Sequence, residues 1–186
     1  MTDAKLLRAV LAMDAYNQDD VRAVELGGSP FANQIGTAEV ILRNAPNDVG
    51  FSAVAYRIGQ VIVISYRGND TDSFGSAWTD AESWLGGAGW EAAQAKAAAL
   101  FYQDVVSLAG DNIVLTGHSL GGGLAGLMAS IHNKNAIVFD SMPYAAAAAN
   151  VYYNATTPLI DVSNVWLLIR TIFRCREAVE APYLFC

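Results

Sequence analysis

The chain has 186 residues, 53% of them hydrophobic and 16% charged, enough for one compact core of two or three layers and short for two domains. A net charge of −7 and an isoelectric point near 4.6, with no basic run anywhere, argue against nucleic acid or an anionic membrane surface as partner and leave small or neutral molecules. A mean hydropathy of +0.27 does not imply a transmembrane segment, because Gly, Asn, Asp or Arg break every apolar run well short of the roughly 20 residues a spanning helix needs.

In MTDAKLLRAVLAMDAYNQDD, the spacing of Leu6, Val10 and Met13 predicts an amphipathic helix. No basic leader precedes a continuous apolar core, so no N-terminal secretion signal is expected, which leaves the cytoplasm or export by another route. GGSPFANQIGTAE is rich in Gly, Ser, Pro and Asn and reads as loop. FSAVAYR, IGQ and VIVISYRG then read as a hairpin whose second arm, Val61 to Tyr66, is fully buried. From Trp90 to Leu108 the residues Ala93, Ala97, Leu100, Phe101, Val105 and Leu108 keep helical spacing, and Gly110 closes the helix. A strand at 112–116, a helix at 120–131 and a strand at 136–139 follow, a series that implies a parallel sheet with right-handed crossovers. AAAAAN at 145–150 is helix-prone, and the tail from Pro158 shows no clear period. The fold class is therefore α/β, a mostly parallel sheet flanked by helices, in a single domain over 1–186. The cysteines, Cys175 and Cys186, match no metal-site spacing and read as structural residues or a late disulfide.

Gly117-His118-Ser119-Leu120-Gly121 is a G-x-S-x-G sequence placed directly after a strand and directly before a helix. Such a turn strains the serine backbone, and the small flanking residues let strand and helix approach. The Ser119 hydroxyl then projects above the sheet edge beside unpaired helix N–H groups, where the dipole stabilises an oxyanion. The alternatives are a solvated serine in a plain strand–helix turn, or a phosphate-binding loop, for which no Lys follows the glycines.

VIVISYRGND, then AWTD, a long helix and IVLTGHSLGGGLAGLMA together resemble the class 3 (fungal-type) lipase family of α/β-hydrolases, over roughly residues 51–143. The resemblance is closest to bacterial lipase-like domains that precede calcium-binding repeats, although these 186 residues hold no such repeat. It implies a carboxylic ester hydrolase working through an acyl-enzyme on acylglycerols or simpler esters, in lipid degradation, with no metal or cofactor. In that family an aromatic-Arg-Gly-Thr or -Ser strand end supplies one oxyanion-hole donor, and SYRGND places Asn69 at that position, a departure in residue type. The backbone N–H groups of Asn69 and Leu120 are the implied pair, and losing one such donor typically costs about 2.7–4 kcal/mol of transition-state stabilisation. Arg67 and Asp80 also match family positions and read as structural, the first at a buried strand end and the second tying the following loop. Trp78, Trp84 and Trp90 with Leu85 lie where the family carries its lid, and read equally as lid or as edge-of-core packing.

The family's histidine follows both the serine and the acid in chain order. Here only His118 and His132 occur. His118 lies inside the elbow and is expected to turn away from the Ser119 hydroxyl. His132 lies a helix length further on, roughly 18 Å away at 1.5 Å per residue. Neither fits the usual base, so the chain is expected to be shortened or altered at its C-terminus relative to the family, to take its base from a partner subunit, or to keep the fold without the activity. Two acids are open: Asp140 at the end of AIVFD, and Asp161 in PLIDVSN, the better family match. Ser119 as nucleophile is one reading of the whole. The other is a catalytically silent hydrolase-fold module that binds an apolar ligand or partner.

Overall fold

The computed structural model describes residues 3–17, 34–44, 50–68 and 93–149. Helix α1 (Asp3–Asp14) leads into strands β1 (Gln34–Ile35), β2 (Ala38–Asn44), β3 (Ala53–Ile58) and β4 (Val61–Tyr66). Helix α2 (Ala93–Ala109), strand β5 (Ile113–His118), helix α3 (Leu120–His132) and strand β6 (Asn135–Phe139) follow.

The strands form one sheet in sequence order. β1 to β4 pair as an antiparallel meander, whereas β4, β5 and β6 are parallel. The sheet is therefore mixed, and the strand–helix–strand series read from the sequence is its parallel half. Both hairpin turns place glycine at the first central position, Gly36 at φ 57° and Gly59 at φ 58°, as the twist of a two-residue hairpin requires. The β1–β2 hairpin overturns the loop reading of GGSPFANQIGTAE over 34–35 and 38–39, because that stretch holds only two residues of each strand, too few alternations to register as a period.

Alternation along the central strands builds three layers. Ala53, Ala55, Ile62, Ile64, Ile113 and Leu115 face α2 and α3, where Phe101, Leu120, Leu124 and Met128 complete the larger core. Val54, Tyr56 and Val63 face the opposite way onto Leu11 of α1. Each fully buried aliphatic side chain of this kind contributes roughly 1.5–3 kcal/mol. The buried run in β4 matches the sequence reading, with only Val61 partly exposed.

Helices α1 and α2 both form where expected, yet each buries a face turned partly away from the predicted one. Leu6 and Met13 are exposed, at 56% and 48%, while Leu11, Ala12 and Ala15 are buried. Leu100 and Leu108 likewise face solvent, while Phe101 and Val105 of the expected face are buried and are joined by Gln94, Ala95, Ala98 and Tyr102. In α1 the cause is a buried carboxylate. Asp14 accepts from Tyr56 Oη at 2.6 Å, Asn17 Nδ2 at 3.0 Å and Arg43 Nη2 at 3.3 Å, so a charged position lies on the core face that an apolar count discards. Burial, together with the Asp14 charge, holds the Tyr56 hydroxyl well above its usual pKa. Ser65 Oγ donates to the Leu11 carbonyl, and Thr116 Oγ1, which donates to the Ile137 carbonyl at 2.7 Å, lies 3.4 Å from that of Arg8, so α1 lies across β4 and β5.

Candidate active site

β5 ends at His118 and α3 begins at Leu120, so Ser119 alone makes the turn between them. Its backbone stands at φ 56° and ψ −126°, a conformation that costs a non-glycine residue about 1–3 kcal/mol. Three hydrogen bonds enforce it. The Ser119 N–H donates to the Phe139 carbonyl at 3.1 Å, and the Ser119 carbonyl accepts from the N–H groups of Gly123 at 3.1 Å and Met142 at 3.0 Å. Serine is a favoured helix N-cap because its hydroxyl accepts from the first turn, yet the Ser119 side chain makes no capping bond. The hydroxyl of a serine in the cap position is thus left for other chemistry.

The flanking glycines permit this geometry by close approach. A Cβ on Gly117 would overlap the Gly121 carbonyl, and a Cβ on Gly121 would overlap the Tyr66 carbonyl oxygen of β4. Gly121, Gly123 and Gly126 also have the spacing of a dinucleotide-binding turn, but all three are buried inside α3, where Gly121 packs on the Tyr66 carbonyl and Gly126 on the Tyr144 ring. Leu120 is the first residue of α3, with its side chain buried. Its N–H belongs to the first helical turn, whose amides lack intrahelical acceptors, and no acidic residue occupies that turn.

The strands on either side of β5 set the flanks of Ser119. β4 runs parallel to β5 with Tyr66 opposite Gly117, so Arg67 and Gly68 continue beside the elbow. Arg67 is buried, donating from Nη2 to the Gly50 carbonyl at 3.1 Å. Asn69, the next but one, lies outside the described residues, as do Asp80, Trp78, Trp84, Leu85, Trp90, Asp161, Cys175 and Cys186. On the other flank Phe139 of β6 pairs with His118, and Asp140 follows at once, exposed and at φ 44°. The structure thus places Ser119 and Leu120 together with Asp140 one strand away.

The two histidines part company. The pleat of β5 turns His118 to the α1 face with Thr116, where its Nδ1 lies 3.0 Å from the hydroxyl of Tyr16. Tyr16, in the turn after α1, is a residue the sequence reading missed, since no local pattern links positions 102 residues apart. His132 stacks on Tyr102 with ring centroids 3.9 Å apart and planes 4° from parallel, at the opposite end of α3 from Ser119. Tyr102 donates to Asp111 at 3.1 Å and Lys134 pairs with the same carboxylate at 2.6 Å. Burial lowers the His132 pKa, outweighing the pull of Asp111 in the other direction.

The family model described as a Tle-like phospholipase domain matches residues 7–157. The chain belongs to the Tle-like phospholipase domain family. The matched residues take in Tyr16, the whole elbow and Asp140, and end before Asp161. A comparison with curated protein sequences finds no match. Among solved structures, the lipase of Rhizopus microsporus var. chinensis is similar over 76% of this chain and 58% of its own, at 21% identity and a TM-score of 0.45. A deletion mutant of Rhizomucor miehei lipase, in complex with its propeptide, is similar over 81% of this chain and 57% of its own, at 13% identity and a TM-score of 0.45. This Tle-like phospholipase domain therefore spans a little over half the length of those lipases. Among its described residues no helix is long and apolar enough to cross a membrane.

Proposed function

We propose that this domain is a serine carboxylic ester hydrolase acting on acyl lipids, phospholipids or acylglycerols, through an acyl-enzyme on Ser119. The strained and uncapped Ser119 backbone carries this reading, because strain of that kind persists only where the surroundings enforce it and here it falls at the junction of a strand and a helix N-terminus. In the proposed reaction the Ser119 oxygen attacks the ester carbonyl carbon, its proton leaves to a base, and the carbonyl oxygen becomes an oxyanion held by the N–H groups of Leu120 and Asn69. Collapse expels the lipid alcohol and leaves the acyl group on Ser119, from which water releases the fatty acid. Asp140, at the end of the strand beside the nucleophile strand, and Asp161 are the candidates for the acid. The proposed mechanism is that of the class 3 lipases, which use no metal or cofactor.

Neither histidine is proposed as the general base, His132 because it stands at the far end of α3 and His118 because its ring faces α1. Catalysis by the oxyanion donors and binding alone supports roughly 10³–10⁴-fold over water in serine hydrolases that lack a triad member. The expected activity of these 186 residues is therefore weak, and its dependence on Ser119 is what separates an acyl-enzyme from catalysis by binding alone. The placement of both histidines also favours a second reading, a silent hydrolase-fold domain that binds an apolar lipid.

Fatty-acid release from phosphatidylcholine vesicles and from a triacylglycerol emulsion, compared between the parent and Ser119→Ala, separates these readings. Release that vanishes in Ser119→Ala supports the hydrolase, and the preferred substrate names its lipid class. Lipid binding without any Ser119-dependent release would establish the silent domain instead.

A further inference from the structure

We infer that Asp140 is a positioning residue for Ser119, acting through its positive-φ backbone and not through its carboxylate; the inference rests on Ser119 being the nucleophile. The segment that leaves β6 holds the serine at both of its peptide groups. Phe139 offers its carbonyl to the Ser119 N–H at 3.1 Å, and Met142 gives its N–H to the Ser119 carbonyl at 3.0 Å. Only Asp140 and Ser141 lie between these two anchors, and Asp140 stands at φ 44°. An extended residue at 140 would carry the chain on in the line of β6, so the change of sign in φ is what brings the second anchor back onto the nucleophile.

Ser141 and α3 complete the path. Ser141 Oγ donates to the Met142 carbonyl at 3.0 Å. A Cβ on Gly122 would stand 3.1 Å from both Cα and Cβ of Ser141, so the segment lies this close to the first turn of α3 over a position that has no side chain. The Asp140 side chain takes no part. It is exposed, and its carboxylate makes no hydrogen bond or ion pair with the described residues. The acid of a serine hydrolase orients a histidine, whereas His118 meets Tyr16 through Nδ1 and His132 stands at the far end of α3. What position 140 demands is tolerance of positive φ, which glycine has freely and Asp and Asn have more than other side chains. Of the two candidates for the acid, Asp161 then remains. A Ser119 released by this segment would lose its attack geometry more than its substrate, so the effect falls on kcat and not on KM.

Turnover of p-nitrophenyl acetate by the 186-residue protein, with Asp140 replaced in ways that separate backbone from carboxylate, tests this. Asp140→Val removes the carboxylate and sets a β-branched side chain at positive φ, and should lower kcat about tenfold or more while KM stays within about twofold. Asp140→Gly removes the carboxylate just as completely but accepts the backbone, and Asp140→Asn tolerates it too, so both should recover at least about tenfold in kcat over Asp140→Val. Equally low kcat in all three variants is the signature of a working carboxylate and overturns the inference, as does a kcat in Asp140→Val equal to the parent's. Should Asp140→Val fail to fold, Asp140→Ala takes its place, and equal kcat in Asp140→Ala and Asp140→Gly overturns the inference. Absence of Ser119-dependent turnover in the parent would sink the nucleophile reading and this inference together, whereas Ser119-dependent turnover with an indifferent Asp140→Val sinks this inference only.

Discussion

The two ends of α3 each carry a non-glycine residue at positive φ, and they mean different things. At the C-terminal end Asn133 stands at φ 51° and ψ 49°, in the left-handed region that Asn tolerates, and the N–H groups of Asn133 and Lys134 both satisfy the Ala129 carbonyl. That is an ordinary helix stop. At the N-terminal end Ser119 has nearly the same φ but ψ −126°, outside the left-handed well, and gives up the capping bond that would reward a serine there. Positive φ alone therefore does not mark a functional residue. Departure from the helical well, enforced by neighbouring backbone, is what sets Ser119 apart and motivates its proposed role.

The histidine near each end repeats the contrast. His132 stacks flat on Tyr102 in a cluster with Asp111 and Lys134, a packing arrangement at the foot of the sheet. His118 meets Tyr16 through its ring nitrogen, next to the elbow. One end of α3 is built for stability and the other tolerates strain.

Substitutions at the two ends should separate accordingly. Ser119→Ala has the largest expected effect on activity, erasing ester hydrolysis through the acyl-enzyme while leaving the fold intact; thermal unfolding and fatty-acid release measured on the same preparation check both. Gly121→Ala has the largest effect on stability. Its Cβ would meet the β4 backbone, which cannot rotate away, so a loss of about 3 kcal/mol or more is expected. At roughly 2–4 °C per kcal/mol for a chain of this size, the thermal midpoint should fall by about 10 °C.

His132→Gln is expected to leave the rate of ester turnover unchanged, since some 18 Å of helix separates residue 132 from Ser119. Its effect lies in acid sensitivity. The folded-state pKa of His132 is below the ordinary 6.5, so as pH falls through that value the unfolded chain takes up a proton that the fold resists, and stability declines. The parent should lose stability below about pH 6.5 and His132→Gln should lose less of it, as denaturant midpoints at several pH values would record. The smallest effects belong to Asn133. Asn133→Gly should be close to neutral and Asn133→Ala should cost about 1 kcal/mol, since only the second places an ordinary Cβ in the left-handed region.

What the sequence made legible follows the same division. The elbow was readable because its chemistry is local: a strand, five residues with small flanks and a helix are contiguous from Ile113 to His132. The parallel half of the sheet was readable for the same reason. Helix faces were not, because Asp14 and Gln94 are polar residues on buried faces and become core positions only through partners far along the chain, such as Tyr56 for Asp14. Tyr16 was invisible altogether. Nothing in AMDAYNQDD marks it, and its contacts with His118 and the Gly68 position exist only once α1 has docked across β5.

Ser119 as a nucleophile is the claim on which the rest stands, and covalent capture tests it most directly. A fluorophosphonate probe reacts with an activated serine by forming an Oγ–P bond and expelling fluoride, and needs oxyanion stabilisation more than a matched substrate. Intact-mass and peptide-level mass spectrometry of the treated protein should show one slowly formed adduct on the peptide that carries Ser119, and none on Ser119→Ala. Equal labelling of Ser119→Ala, or an untouched Ser119 after prolonged exposure, would contradict the account.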